Sequence, residues 1–127
     1  MAMNNLDVLV IEDNEQNLYL VRFLLENQGF TVHEAKDGNT GIGMASTLHP
    51  DLILLDIQLP MLDGYAVAEE LRKNPALRET PIIAVTSYAM VGDRERALAA
   101  GATGYIEKPI DPECFVDQIR VFFPKLS

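Results

Sequence analysis

Tryptophan is absent, cysteine occurs once, and ten Lys and Arg stand against 19 Asp and Glu; each shortage closes off a class of function. A lone cysteine, Cys114, cannot form an internal disulfide or supply a cysteine zinc site, so nothing points to an oxidising compartment and a cytoplasmic location is expected. The formal net charge of -9 disfavours a nucleic-acid backbone or an anionic membrane as partner and suits a cation or a Lys/Arg-rich protein surface instead. No apolar run approaches the ~20 residues of a membrane span. The polar stretch Met1 to Asn5 lacks the basic-then-apolar layout of a signal peptide.

What remains is an ordinary globular composition. Of 127 residues, 48% are hydrophobic and 23% charged, which excludes a disordered segment, a coiled coil or a collagen-like repeat and leaves room for one domain over 1–127. Short β-rich runs alternate five times with stretches of helical spacing. Leu6 to Glu12 reads as a strand, followed by a helix over Asn14 to Gln28 with Leu18, Val21, Leu24 and Leu25 on one stripe and Gly29 as its stop. Thr31 to Ala35 is a shorter, more polar strand suited to a sheet edge, and Gly38 to Leu48 has helical spacing despite Gly41 and Gly43.

Asp51 to Asp56 has the continuous apolar middle of a strand covered on both faces. Gln58 to Gly64 reads as a loop, and Tyr65 to Lys73 as a helix ended by Pro75. Pro81 to Thr86 is a fourth buried strand, followed by a helix from near Ala89 through Ala100 with Gly101 as its stop. Thr103 to Glu107 is the fifth strand. Asp111 as N-cap and Pro112 at the first helical position then open a last helix whose apolar face is Phe115, Val116, Ile119, Phe122 and Phe123.

Strands alternating with helices require right-handed crossovers, hence a parallel, doubly wound α/β sheet covered by helices on both faces, with the ligand crevice at the carboxyl ends of the strands. The first strand ends in Glu12 and Asp13, the third in Asp56 and the fourth in Thr86 and Ser87, while the fifth runs into Lys108 and Pro109. In the order 2-1-3-4-5 the strands carrying these residues are successive neighbours, so three carboxylates, a hydroxyl and an ammonium converge on one rim.

Carboxylates gathered so closely raise one another's pKa unless a cation intervenes, and hard oxygen ligands in this number suit Mg²⁺ with several retained waters. The divalent ion and Lys108 together balance the three carboxylates and remove the barrier to an incoming phosphate anion. An Asp in that setting is a nucleophile toward phosphorus, forming an acyl phosphate, with Lys108 and Thr86 placed to stabilise the equatorial oxygens. Any one of these residues has a plainer reading. An acidic residue at a strand end commonly caps a turn, and Thr86 ends a buried strand for reasons of β-propensity alone. On spacing alone Tyr105 is a partly buried aromatic, and Cys114, His33 and His49 are structural or solvated.

Rival users of the same sheet are tested by motif. Nucleotide-binding Rossmann domains and flavodoxins place a Gly- or hydroxyl-rich loop after the first strand, where this chain has Glu12-Asp13-Asn14-Glu15-Gln16-Asn17, and no G-x-x-x-x-G-K-[ST] is present. Aspartyl phosphatases of the haloacid dehalogenase type carry a second Asp two positions after the nucleophile as general acid; here that position is Gln58.

VLVIEDN (Val8 to Asn14), DLILLDIQLPMLDG (Asp51 to Gly64), PIIAVTSYAM (Pro81 to Met90) and GATGYIEKPI (Gly101 to Ile110) resemble, in order, the acidic pair, phosphoacceptor loop, switch hydroxyl and Lys-Pro segment of bacterial two-component response regulator receiver domains. The resemblance covers about residues 6–123 and implies a flavodoxin-like (βα)5 fold. It implies that Asp56 accepts a phosphoryl group from a sensor histidine kinase or a histidine phosphotransfer protein. It also implies that Asp13, Asp56 and the backbone carbonyl of Gln58 bind Mg²⁺ or Mn²⁺, with Glu12 acting through water. Lys108 would contact the phosphoryl group, Thr86 would move toward it and Tyr105 would swing inward after it. A cis Lys108-Pro109 peptide would aim the ammonium at the site.

Gln58 and Tyr88 occupy positions that in this family influence the lifetime of the acyl phosphate. The resemblance further implies a monomer or weak dimer that is not an enzyme beyond its own phosphorylation and slow dephosphorylation. It would signal to a protein target through the surface of the fourth helix, fifth strand and fifth helix. The SYAM-x-GD-x-E-R stretch looks most like single-domain regulators of the chemotaxis or cell-division type, or receivers attached to hybrid kinases. With no output domain expected, a single-domain interaction module and a receiver excised from a hybrid kinase or larger regulator both stand. A phosphorylation-independent scaffold is disfavoured, since every phosphorylation residue is present.

Overall fold

The computed structural model describes residues 6–87 and 92–121. Tyr88, the expected helix start near Ala89, and Phe122 and Phe123 of the expected last apolar face lie outside the described residues. Strands and helices alternate as β1 (Asp7–Ile11), α1 (Glu15–Glu26), β2 (Thr31–Ala35), α2 (Gly38–Leu48), β3 (Leu52–Asp56), α3 (Gly64–Arg72), β4 (Ile82–Thr86), α4 (Asp93–Ala100), β5 (Gly104–Glu107) and α5 (Phe115–Val121). The five strands pair in parallel in the order β2-β1-β3-β4-β5, with the polar strand β2 at an edge as its sequence predicts.

Residue alternation along the buried strands sorts the core into two layers. Val8, Val10, Leu52, Leu54, Ile83, Val85 and Ile106 face α1 and α5, where Leu18, Val21, Leu25, Phe115 and Ile119 cover them. Leu9, Ile11, Ile53, Leu55 and Ile82 face the other way, against Ala45 of α2, Val67, Ala68 and Leu71 of α3 and Ala100 of α4. A smaller cluster at the α4 side joins Ile57, Ala84, Ala97 and Ala102, with Tyr65 and Tyr105 packed on it.

The helices begin where side chains satisfy their first N–H groups. Asn14, Asp37 and Asp63 accept from the backbone N–H three residues on, at the starts of α1, α2 and α3. No side chain caps α4, which Gly92 precedes at φ 92°. α1 is shorter than its pattern predicts, ending at Glu26 with Asn27 as C-cap. The regular turns of α5 begin at Phe115, later than Pro112 at the first helical position predicts. Asp111 caps this end as expected: its carboxylate takes the N–H of Glu113 at 3.0 Å and its carbonyl the N–H of Cys114 at 3.0 Å and of Phe115 at 2.9 Å, so Pro112 to Cys114 form a turn that leads into the helix.

A short 3-10 turn over Pro75–Leu77, not expected from the pattern, follows α3. Arg72, at the end of α3, donates to the carbonyls of Leu77, Arg78, Thr80 and Gly101 and to the Thr103 hydroxyl, tying this turn to the end of α4 and the start of β5. No helix among the described residues is long and apolar enough to cross a membrane.

Candidate functional site

The strand that carries Asp56 is buried along its whole length, and Asp56 itself is only 3% exposed. Its alternation continues that of Leu52 and Leu54, which sets the carboxylate on the α1/α5 side of the sheet. Glu12 after Val8 and Val10, and Lys108 after Ile106, continue the same side from the neighbouring strands. Beneath them Val10, Val21, Leu54, Val85, Ile110 and Phe115 form an apolar floor. Three charged groups therefore meet at the edge of the core, where water screens them little.

Lys108 Nζ lies 2.9 Å from Glu12 Oε1 and 3.6 Å from Asp56 Oδ2. Carboxylate oxygens of Glu12, Asp13 and Asp56 all lie within 4.8 Å of one another, with Asp13 the exposed member. The backbone N–H of Gln58 donates to Asp56 Oδ1 at 2.9 Å and fixes the carboxylate. Burial pushes the Glu12 carboxyl up from 4.5 to about 7, helped by its hydrogen bond to Asp56 and that group's negative charge; Lys108 offsets this only in part. Three hard oxygen donors, two of them buried and one open to solvent, are the donor set that a small divalent cation with retained waters takes. The residues fit such an ion, and its charge would offset the burial and the Asp56 charge that raise the Glu12 carboxyl.

The loop that follows Asp56 is held by close backbone packing. A Cβ on Gly64 would stand 2.4 Å from Ile57 Cα and 2.6 Å from the Asp56 carbonyl oxygen, so only glycine lets the first turn of α3 lie against the acidic strand. The Gly64 N–H donates to the Ile57 carbonyl at 2.9 Å, and Asp63 caps the helix.

Thr86 is buried at 3% exposure at the end of β4, and its alternation through Ala84 places it on the α4 side, opposite the charged trio. Tyr105 is half-buried and pairs in register with Ala84, two residues before Thr86, so the three share one face. The Lys108-Pro109 peptide is cis, and the Lys108 N–H donates to the Thr86 carbonyl at 2.7 Å, joining the two strand ends.

An open pocket of about 330 Å³ is lined here by Gln58, Tyr65, Thr86, Asp93 and Arg96, among others. Within it the Arg96 guanidinium stacks 4.0 Å from the Tyr65 ring centroid, and the Tyr65 hydroxyl lies 3.4 Å from Asp93 Oδ1. This polar layer escapes sequence reading because its members come from separate elements with no shared spacing. The Gln58 side chain is a second such feature: its Oε1 accepts from the Ser87 N–H at 3.1 Å, bridging the loops after β3 and β4. Cys114 is exposed, His33 pairs with Asp7 at 3.0 Å, and His49 ends α2 at φ 48°.

Residues 8–120 match the family described as the response regulator receiver domain. The chain is 42% identical over 115 residues to the polar-differentiation response regulator DivK of Brucella ovis, covering 91% of this chain and 94% of that protein. Among solved structures it is similar to the receiver domain of a sensor histidine kinase from Pseudomonas aeruginosa, which has a magnesium ion coordinated in its active site cleft. That likeness has a TM-score of 0.86 at 34% identity and covers 94% of this chain and 98% of that one. A chemotaxis protein of Vibrio cholerae is similar with a TM-score of 0.88 at 26% identity, over 92% of this chain and 98% of that one.

Proposed function

The chain belongs to the response regulator receiver family, whose function is phosphorylation-controlled signalling, and on that premise we propose that Asp56 is the phosphoacceptor. The observation that carries this reading is the buried Asp56 carboxylate with Lys108 Nζ at 3.6 Å and the oxygens of Glu12 and Asp13 within 4.8 Å. A phosphohistidine on a sensor kinase or phosphotransfer protein is the donor. The P–N bond breaks, an Asp56 carboxylate oxygen forms the new P–O bond, and the histidine leaves as neutral imidazole after taking up a proton. Asp13, Asp56 and the Gln58 carbonyl would hold Mg²⁺, with Glu12 acting through water. The ion would offset the carboxylate charge and bind a phosphoryl oxygen.

Lys108 exchanges its contact with Glu12 for the transferred group, and the Thr86 hydroxyl turns toward a phosphoryl oxygen. Phosphorylation adds about one negative charge at Asp56, so the response must come from an element with two closely balanced packings. The α4, β5 and α5 surface suits that role: Tyr105 sits on the Thr86 face among alanines, and α4 lacks a side-chain cap. The output is then altered binding of a protein target, in the cytoplasm, without further catalysis. The likeness to a kinase receiver keeps attachment to a larger regulator as a second reading.

Incubation with acetyl phosphate and Mg²⁺ tests the site. One phosphoryl group per chain is expected by intact mass, lost in Asp56→Asn and in excess chelator; full modification of Asp56→Asn overturns the assignment.

A further inference from the structure

Gln58 joins the two loops at the rim through both of its amides. Its backbone N–H donates to Asp56 Oδ1 at 2.9 Å, while its side-chain Oε1 accepts from the Ser87 N–H at 3.1 Å. Ser87 directly follows Thr86, so the side chain spans from the phosphoacceptor loop to the end of the switch strand. The other side-chain atom, Nε2, is buried and has no hydrogen-bond partner among the described residues. A buried donor left unpaired offsets much of what the single Oε1 bond contributes. The bridge is therefore closed but weakly held.

We infer that the Gln58 side chain is an internal latch that occupies the Ser87 N–H in the resting state and must let go when Asp56 is phosphorylated. A phosphoryl group on Asp56 brings three strong acceptor oxygens beside a backbone donor one peptide beyond Thr86. The Ser87 N–H then exchanges an amide oxygen for a charged one, which is the stronger acceptor. The β3 and β4 ends pair directly, Asp56 opposite Val85, so this exchange needs only a local shift of the β4 end, in the direction that carries Thr86. Gln58 is thus a positioning residue that acts through Ser87, and its removal eases the active arrangement. This role rests on the reading of Asp56 as phosphoacceptor.

Two measurements on the whole chain test it, with the parent, Gln58→Ala and Gln58→Glu compared. The first is the Ser87 amide proton shift in metal-free protein. An upfield move is expected in Gln58→Ala, where the acceptor is gone, with return toward the parent in Gln58→Glu, where a carboxylate oxygen replaces it. The second is the affinity for beryllofluoride with Mg²⁺, expected to tighten about twofold in Gln58→Ala, the low end for one net hydrogen bond because the unpaired Nε2 offsets part of it. An unchanged Ser87 signal in Gln58→Ala overturns the latch, and so does unchanged or weaker beryllofluoride binding. Failure of the parent itself to bind beryllofluoride overturns the phosphoacceptor reading instead, and the Ser87 signal still decides whether the resting bridge exists.

Discussion

On the α1/α5 face of the rim, Glu12, Asp56 and Lys108 sit over Val10, Leu54 and Phe115, all buried. On the opposite face of the same rim, Thr86 and Tyr105 stand beside Ala84, Ala97 and Ala102, and the covering helix buries only Ala97 and Ala100. Large side chains that interlock have one packing and hold charges at fixed distances. Small side chains leave alternatives of similar energy, which a single added charge is enough to select between. On the proposed reading one sheet separates chemistry from response, with Lys108 and Thr86 joined through the β5 and β4 backbones.

The contrast in packing is the most easily broken part. Phe115→Ala should lower stability by about 3–5 kcal/mol, as expected for a buried aromatic. Ala97→Gly, which removes one methyl from α4, should cost about 1 kcal/mol. Urea unfolding of both variants reads the difference, and equal losses would remove the distinction between the faces.

Lys108→Ala tests the charged side. With the ammonium gone, phosphorylation of Asp56 by acetyl phosphate should slow about 100-fold, the usual loss for one positioned donor to developing oxyanion charge. A rate within a few-fold of the parent would mean that Lys108 serves only to neutralise Glu12.

The smallest effect is pH-linked. Glu12 is raised by burial to about 7 in the fold, against 4.5 unfolded, so the folded chain binds the extra proton between those values. Its contribution to stability is complete below about 4.5 and is lost as pH rises through about 7. A cation at the cluster must displace that proton, so Mg²⁺ affinity should fall up to tenfold per pH unit below about 7, with Asp13, Asp56 and Lys108 as the other charges facing the site. Titration at pH 6 and 8 checks this. A pH-independent affinity would place Glu12 outside the binding event.

The chemical face was legible in the sequence because its residues sit at fixed places: each ends or follows a buried apolar strand, and parallel topology brings strand ends together. Strand order, β2 at the edge and the convergence of Glu12, Asp13, Asp56 and Lys108 all follow from that rule, while Thr86 ends its strand at the same rim but on the other face. The response face was less legible. The Tyr65, Asp93 and Arg96 layer and the Gln58 to Ser87 bridge join residues 28 to 31 positions apart by side-chain reach, which periodicity does not encode. The regular part of α5 starts later than the pattern predicts because Pro112 to Cys114 take a tighter turn first, with the Cys114 N–H on the Asp111 carbonyl.

Hydrogen exchange across Asp93–Ala100 and Gly104–Glu107, with and without beryllofluoride and Mg²⁺, in the parent and in Thr86→Ala, tests the separation of the two faces most directly. The parent should change its protection on these two elements when the analogue binds. Thr86→Ala should bind the analogue at Asp56 and leave α4 and β5 as they were. If Thr86→Ala binds it and still shows the full change, the signal does not cross the sheet through Thr86 and the account is contradicted.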